Sequence, residues 1–328
     1  VGAAFGVADG SAAVWLQRAA WLFMGLSGVS LLALFARWSA FCELFAHFRL
    51  QYLVVQAMAL ALVLAQGQFD LALLVVLMAI PHIAAVAPYL PGTFRPEAPS
   101  APGPRVVALN LQYNNDDFER ARDYLLGAAP DVLVLSEFTP RTAQRLAFLE
   151  GLYPHRVLRP KATAWGMAVY SRLPFLAVAD LALDDGSSAQ LRVRVAFPAG
   201  PVDVYAVHLA SPMSGGRAAL RNAQLQRLGA RVREVAAAEP AVPPLVVGDL
   251  NLTPFSPWFT AFLGTAGVTD GRQPFGLHVT WPARPLPLWI PIDHCLVGGR
   301  LRIDRVVAGR PMGSDHLPLE IRLAWSPP

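Results

Sequence analysis

An aspartate followed by a histidine occurs twice near the C-terminal end of the chain, in PIDHCLVGG (291–299) and in GSDHLPLE (313–320). The chain has only seven histidines, so two of its imidazoles each neighbour a carboxylate. Such a ring changes charge near neutral pH and can hold, give or take a proton. Asp293-His294 and Asp315-His316 are therefore either two copies of one device or parts of one site. Upstream, polar residues close apolar runs. Asn110 ends VVALN, Glu137 ends VLVLSE, His208 ends VYAVH, and PLVVGDLN carries Asp249 and Asn251. Singly, each has an ordinary explanation as a turn, a cap or a satisfied interior group. Together they mark the places where chains leave a sheet and where sites are commonly assembled.

The elements needed to position these residues are legible in the pattern. Strand-like RVVALN, helical DFERARDYLLGA, strand-like DVLVLSE and helical RTAQRLAFLEG follow one another. WGMAVYS, AQLRVRVAF and PVDVYAVHL are short and β-rich, and PLVVGD reads as a buried strand. A helix near 257–264 and strands near 291–297, 301–308 and 317–323 complete the series. Strands mixed with helices in this way predict α/β layers. RAALRNAQLQRLGARVRE (217–234) is the densest basic stretch; Arg217, Arg221, Arg227, Arg231 and Arg233 are expected on the solvated face of an amphipathic helix.

The first ninety residues differ in kind. The chain is 54% hydrophobic with a mean hydropathy of +0.40, and the excess sits at the N-terminal end. No charge occurs in 19–36 or 50–69, and 71–94 is uncharged apart from a possible charge on His82. Each stretch has the roughly 20 apolar residues that a bilayer core of about 30 Å requires. We therefore expect a membrane anchor over 1–90, with three transmembrane helices at about 14–36, 50–68 and 71–90. A Pro-rich linker is expected at 91–104 and a catalytic domain at 105–328. Arg37 and Arg49 in the first loop favour a cytoplasmic catalytic domain, but basic residues preceding Val1 would invert that, so the side is left open. Cys42 and Cys295 have no metal-ligand spacing.

The ordered set LN, LSE, VHL, GDLN, IDH and GSDH, supported by SRLP (171–174), resembles the endonuclease/exonuclease/phosphatase superfamily from residue 105 to about 323. The three apolar stretches with AHFRLQYL (46–53) resemble its membrane-anchored bacterial members, which implies the bacterial inner membrane. The resemblance implies a four-layer α/β sandwich, two β-sheets flanked by helices, and metal-dependent phosphoester hydrolysis by in-line attack of water. It implies Asn110, Glu137 and Asp315 as the metal set, for Mg²⁺ with Mn²⁺ or Ca²⁺ as substitutes. Asp249 would activate the water, Asn251 would direct its amide to phosphate or water, and His208 would help the leaving group. His316 would stabilise the transition state, oriented by Asp293, so the useful pairing runs across the two dipeptides. His294 matches no catalytic position.

His208-Leu209 stands where abasic-site endonucleases carry Pro-Asn, which counts against that specificity. The expected partners are the bilayer and a phosphoester substrate, lipid or nucleic acid; no protein partner is evident. Tethering favours a lipid or lipid-linked phosphate. The alternatives are a nuclease of the deoxyribonuclease I type and a catalytically silent membrane-bound binding module.

Overall fold

A computed structural model describes residues 8–90, 103–273, 275–284 and 287–326. The chain divides into two compact units, 1–88 and 89–328. Apart from residues 103 and 104, the expected linker lies outside the described residues.

The first unit is helical: α1 (Ala8–Ser30) with a 3₁₀ extension (Leu31–Phe35), α2 (Ala40–Ala46), α3 (Arg49–Ala65) and α4 (Phe69–Val86). Two helical stretches, Ala12–Phe35 and Phe69–Tyr89, are long and apolar enough to cross a membrane. The expectation of three uniform spans needs correction. The middle one is a pair, α2 and α3, bent by 66° at residues 47–48, and it makes a third span only if the two count as one. α3 ends at Ala65 because Gly67 takes a left-handed conformation (φ +69) there.

Polarity in this unit is inverted relative to a water-soluble bundle. Trp15, Trp21, Leu22, Phe69 and Leu73 point outward, while Ser30, Arg49, Gln56 and His82 are buried. Arg49 Nη1 donates to His82 Nδ1 (3.2 Å), which leaves the His82 proton on Nε2, facing Ser30 Oγ at 2.8 Å. Gln56 Nε2 donates to Ser30 Oγ and to the Met78 carbonyl, both at 3.3 Å. His82 thus ties α1, α3 and α4 together. Arg49, counted above as a loop charge, is buried in this network and is no longer a simple topology signal.

The second unit holds two six-stranded sheets. The first comprises β1 (Arg105–Asn110), β2 (Val132–Ser136), β3 (His155–Arg159), β4 (Met167–Ser171), β11 (Leu301–Ala308) and β12 (Leu319–Trp325), in the order 11-12-1-2-4-3. The second comprises β5 (Phe175–Asp180), β6 (Leu191–Phe197), β7 (Gly200–His208), β8 (Pro244–Asp249), β9 (Thr269–Asp270) and β10 (Asp293–Val297), in the order 5-6-7-8-10-9.

Strand alternation builds the layers. Val106, Ala108, Val132 and Val134 meet Val193, Val204, Leu245 and Val247 between the sheets. Their neighbours Val107, Leu109, Leu133 and Leu135 face the other way, toward Tyr124 and Leu125 of α5 (Phe118–Ala128), with α6 (Pro140–Arg145) beyond. On the far side Tyr205, Val207 and Val246 pack on α7 (Gly215–Ala238) and α8 (Pro257–Ala266). The result is the expected four-layer sandwich.

Arg221 departs from the expected solvated face. It lies on the helical stripe of Leu225, Leu228, Val232 and Val235, is fully buried, and donates through Nη1 to the Asn251 carbonyl (3.3 Å).

Candidate active site

The strand ends that carry the polar residues converge at one edge of the sandwich. β7 and β8 run parallel with His208 opposite Asp249, and β10 runs antiparallel to β8 with Asp293 opposite Asp249. His208, Asp249 and Asp293 therefore form one row across the second sheet. In the first sheet Asn110 lies opposite Ser136, one residue before Glu137. Asn110 joins the rows: its Nδ2 donates to Glu137 Oε1 (3.0 Å) and to Asp249 Oδ2 (3.2 Å).

The local backbone is specialised. Gln112, Glu137 and Asn251 have φ of 58°, 57° and 52°, a region that costs a non-glycine residue about 1–2 kcal/mol. Hydrogen bonds hold each of them. Gln112 N donates to Asn110 Oδ1 (2.9 Å), Tyr113 N to Glu137 Oε2 (2.7 Å), and Asn251 N to Asp249 Oδ1 (2.8 Å). Gly248, just before Asp249, has φ +130, and a Cβ there would stand 2.1 Å from the Val207 carbonyl oxygen. Only glycine lets β8 lie against β7 at that point.

His316 Nδ1 donates to Asp293 Oδ2 at 2.8 Å, and its Nε2 lies 3.7 Å from Asp249 Oδ2. All three residues are buried. Burial opposes a charge on His316, yet the Asp293 carboxylate, with Asp249 and Asp315 beyond it, pushes the ring up to about 10. Asp249 is driven the other way from an ordinary carboxylate: burial first, then the Asp293 charge, raise it to about 6. Asp293 itself is held low, because the His316 charge and hydrogen bond overcome its burial.

His208 Nδ1 lies 3.2 Å from the Ala164 carbonyl, which can only accept, so Nδ1 carries a proton. Its Nε2 faces Asp249 Oδ2 (3.6 Å) and Glu137 Oε1 (3.8 Å). The Trp165 ring packs on the imidazole, with centroids 5.7 Å apart. Gln190 clamps the His208 backbone, accepting from its N–H at 2.7 Å and donating to its carbonyl. Neither Trp165 nor Gln190 stands out in the sequence, since nothing in their spacing links them to His208.

Two expected site residues are placed otherwise. The Asp315 carboxylate accepts from the Trp281 indole (3.2 Å), while its N–H donates to Gln112 Oε1 (3.2 Å). It belongs to the wall beside the cluster and has no bond to Glu137 or Asn110 among the described residues. Its neighbours Ser314 and His316 are the ones turned inward; Ser314 Oγ donates to the Asn110 carbonyl (2.7 Å). Asn251 Nδ2 donates to the Leu209 carbonyl (2.9 Å), so part of its amide braces the β7 exit and does not face the site.

His294 is fully buried on the other side of the strand. Its Nδ1 accepts from Arg272 Nη2 (2.7 Å), so its proton sits on Nε2 and goes to the Leu252 carbonyl (2.8 Å). Burial, reinforced by the Arg272 charge, pushes the ring down to about 3. Arg272 also donates to the Asp293 carbonyl (3.0 Å) and pairs with Asp270 through Nε (3.1 Å) and Nη2 (2.9 Å). This brace ties the Asp293 strand to the loop after Asp249. Removing one partner of a buried ion pair costs about 3–5 kcal/mol. Arg272→Met is accordingly expected to lower the thermal unfolding midpoint sharply, and Asp270→Leu added to it to recover part of the loss.

Oxygen and nitrogen atoms of Asp249, Asp293 and His316 lie within 4.8 Å of one another, a grouping that could hold a metal ion. A protonated His316 has no lone pair to offer, however, so as a donor set this trio is poorer than its distances suggest. Glu137 suits a hard cation better. Each of its oxygens accepts one hydrogen bond and keeps a further lone pair, and its side chain is 15% exposed.

No curated protein matches the chain. Among solved structures it is similar to truncated Caenorhabditis elegans TDP2 (17% identity, TM-score 0.56, covering 68% of this chain and 97% of that one). It is likewise similar to the human Nocturnin catalytic domain (17%, TM-score 0.54, 69% and 95%). An endonuclease/exonuclease/phosphatase from Beutenbergia cavernae shares 22% identity (TM-score 0.50, 69% and 72%). At such identities the likeness speaks for the fold. The family itself is shown by the sequence match over 107–316, which spans every strand end described above, and on that ground the chain belongs to the Endonuclease/Exonuclease/phosphatase family.

Proposed function

We propose that this protein is a membrane-anchored, divalent-metal-dependent phosphoester hydrolase that works by in-line attack of water on a lipid or lipid-linked phosphate. Its family acts on phosphoester bonds, with nuclease and phosphatase activities among its members. The observation that carries the reading is the Asp293–His316–Asp249 arrangement, a proton-bearing imidazole beside a carboxylate of raised proton affinity.

In this reading Asp249 takes the proton of the attacking water. Asn110 holds Asp249 and Glu137 in register, so that the base keeps a single orientation. His316 presents Nε2–H to a phosphate oxygen as charge builds, with Asp293 holding its other nitrogen. His208, fixed by Ala164, Trp165 and Gln190, would serve the departing oxygen through Nε2, the ring nitrogen that faces the cluster. Glu137, with Asn110 beside it, would hold the metal, and Mg²⁺ is the best match to that oxygen set. When bound, such an ion neutralises charge on the phosphate or leaving group.

The membrane part of the reading is supported by the two to three apolar helices and by the inverted polarity of the first unit. Tethering raises the local concentration of headgroups. A nuclease reading stays in view because a Danio rerio TDP2 of the same fold was solved with a single-strand DNA product.

The test is a panel of DNA, RNA, phospholipids, phosphoinositides and lipid pyrophosphates, presented to the full chain with Mg²⁺, Mn²⁺ or Ca²⁺. We expect lipid phosphoester turnover that a chelator abolishes and Mg²⁺ restores. Turnover of DNA alone would replace the lipid reading with the nuclease one, and inertness on every ester would favour the binding module.

A further inference from the structure

Three segments leave the sandwich at the edge that carries the site: 111–117 after β1, 209–214 after β7, and 287–292 entering β10. The last belongs to that edge because Asp293 pairs with Asp249 at the end of β8. These segments carry apolar tips in water. Tyr113 is 49% exposed, Met213 83%, Leu288 53% and Trp289 45%. Among the described residues from Tyr89 onward, the other exposed large hydrophobics (Leu90, Leu126, Leu152, Leu176 and Val178) lie outside these three segments.

Charge of both signs occurs at the same edge: Asp184 and Asp185, between β5 and β6, accept from the Gly186 and Ser187 N–H groups, with Ser188 and Gln224 also on Asp184. Asp116 pairs with Arg141, and Asp117 with Arg120 at 3.2 Å. Arg217, Arg284 and Arg310 are exposed and have no carboxylate partner among the described residues. Arg217 is instead held by the Ser211 carbonyl and lies over the Trp165 ring. Arg284 lines one cleft with Gln112, Asn114 and Ser314, which connects the first segment to the approach to β10.

We propose that this edge docks on a phospholipid bilayer containing anionic headgroups. Tyr113, Met213, Leu288 and Trp289 enter the boundary between headgroups and acyl chains, and Arg217, Arg284 and Arg310 meet lipid phosphates. Exposed apolar tips on three loops, with unmatched cations at the same edge, suit a soft, charged interface. Tyr and Trp are the residues best suited to the headgroup level, and the same chain carries helices apolar enough to cross a bilayer. The inference deepens the reading above, because a site at this edge would meet its substrate at the membrane surface; it rests on that reading for the substrate alone.

The test uses the full chain reconstituted in phosphatidylcholine vesicles containing phosphatidylglycerol. Met213→Cys, in a Cys42→Ser background that leaves only the buried Cys295, carries an environment-sensitive fluorophore. Its emission should shift to the blue and be quenched by brominated lipid. The same label at Leu176→Cys on β5 should report water. Leu288→Asp with Trp289→Asp should abolish the quenching and lower turnover of a vesicle phospholipid about tenfold, with hydrolysis of a water-soluble phosphodiester unchanged. A label at 213 that stays in water overturns the proposal whatever the enzyme hydrolyses. So does a blue shift that brominated lipid leaves unquenched and that fades on dilution, which would place a second copy on this edge. An inserted label in a protein that hydrolyses no phosphoester upholds the docking and removes the hydrolase reading.

Discussion

Asp249→Asn is expected to lower turnover by about 10²–10⁴-fold, the usual contribution of a positioned proton acceptor, without lowering the thermal midpoint at neutral pH. The two parts of this result have one cause. Asp249 is buried between Asn110 and the Asn251 N–H, within reach of both His208 and His316. Burial and the neighbouring Asp293 raise its proton affinity, to a value about 6. A group raised in the folded state adds stability below its ordinary value of 3.8, and that contribution is lost as the pH climbs through about 6. At neutral pH the ionised side chain is therefore a burden on the fold, kept for its chemistry. An amide of the same shape removes the charge and the base together. Steady-state rates and thermal denaturation on the same preparation check both halves. Retained turnover would remove Asp249 from the proton-transfer role, and a collapsed midpoint would make it a structural residue.

The legible part of this protein was whatever depends on local pattern. Strand ends closing on polar residues placed Asn110, Glu137, His208 and Asp249 at one edge, because period-two strands of similar direction bring their exits together. The crosswise pairing of Asp293 with His316 came from family resemblance, and the two side chains meet at 2.8 Å. What stayed hidden depends on tertiary contact. Edge strands β3 and β5 are half-exposed and flanked by Arg-Pro or Leu-Pro, so their alternation does not register as a buried strand. Arg221 looked solvated because it was read by charge, whereas its helical phase puts it on the core stripe. Asp315 and Trp281 are thirty-four residues apart, and their contact is made by loops with no periodicity to follow. The Asp270–Arg272–His294 brace is equally silent in sequence, though it anchors Asp293 from behind. In the first unit, length and composition marked the apolar stretches, but the bend between α2 and α3 and the contact of Arg49 with His82 across thirty-three residues left no periodic sign.

Asp293→Asn should act through His316 and be most visible in the pH dependence. In the native protein the imidazole bonds to Asp293 Oδ2 and is pushed up to about 10. Its Nε2–H is then available to phosphate throughout the neutral range. With an amide at 293 the ring loses its anionic partner, while its burial, which disfavours the charge, remains. The alkaline limb of the rate profile should move down by several pH units, to or below the ordinary histidine value of about 6.5. At about pH 8 the rate should fall by a factor on the order of 10²–10⁴. Stability must change with a matching sign. His316 contributes stability that is fully present below its ordinary value and is lost as the pH rises through about 10. Asp293, held low, contributes stability above its ordinary value of 3.8 that is lost as the pH falls through its lower folded value. The gap in thermal midpoint between wild type and Asp293→Asn should therefore be widest between these limits and close toward both. A variant whose alkaline limb and midpoint gap were both unmoved would show that Asp293 does not hold the charge on His316. The stabilisation of the phosphate would then have to come from Glu137 and the ion it would hold.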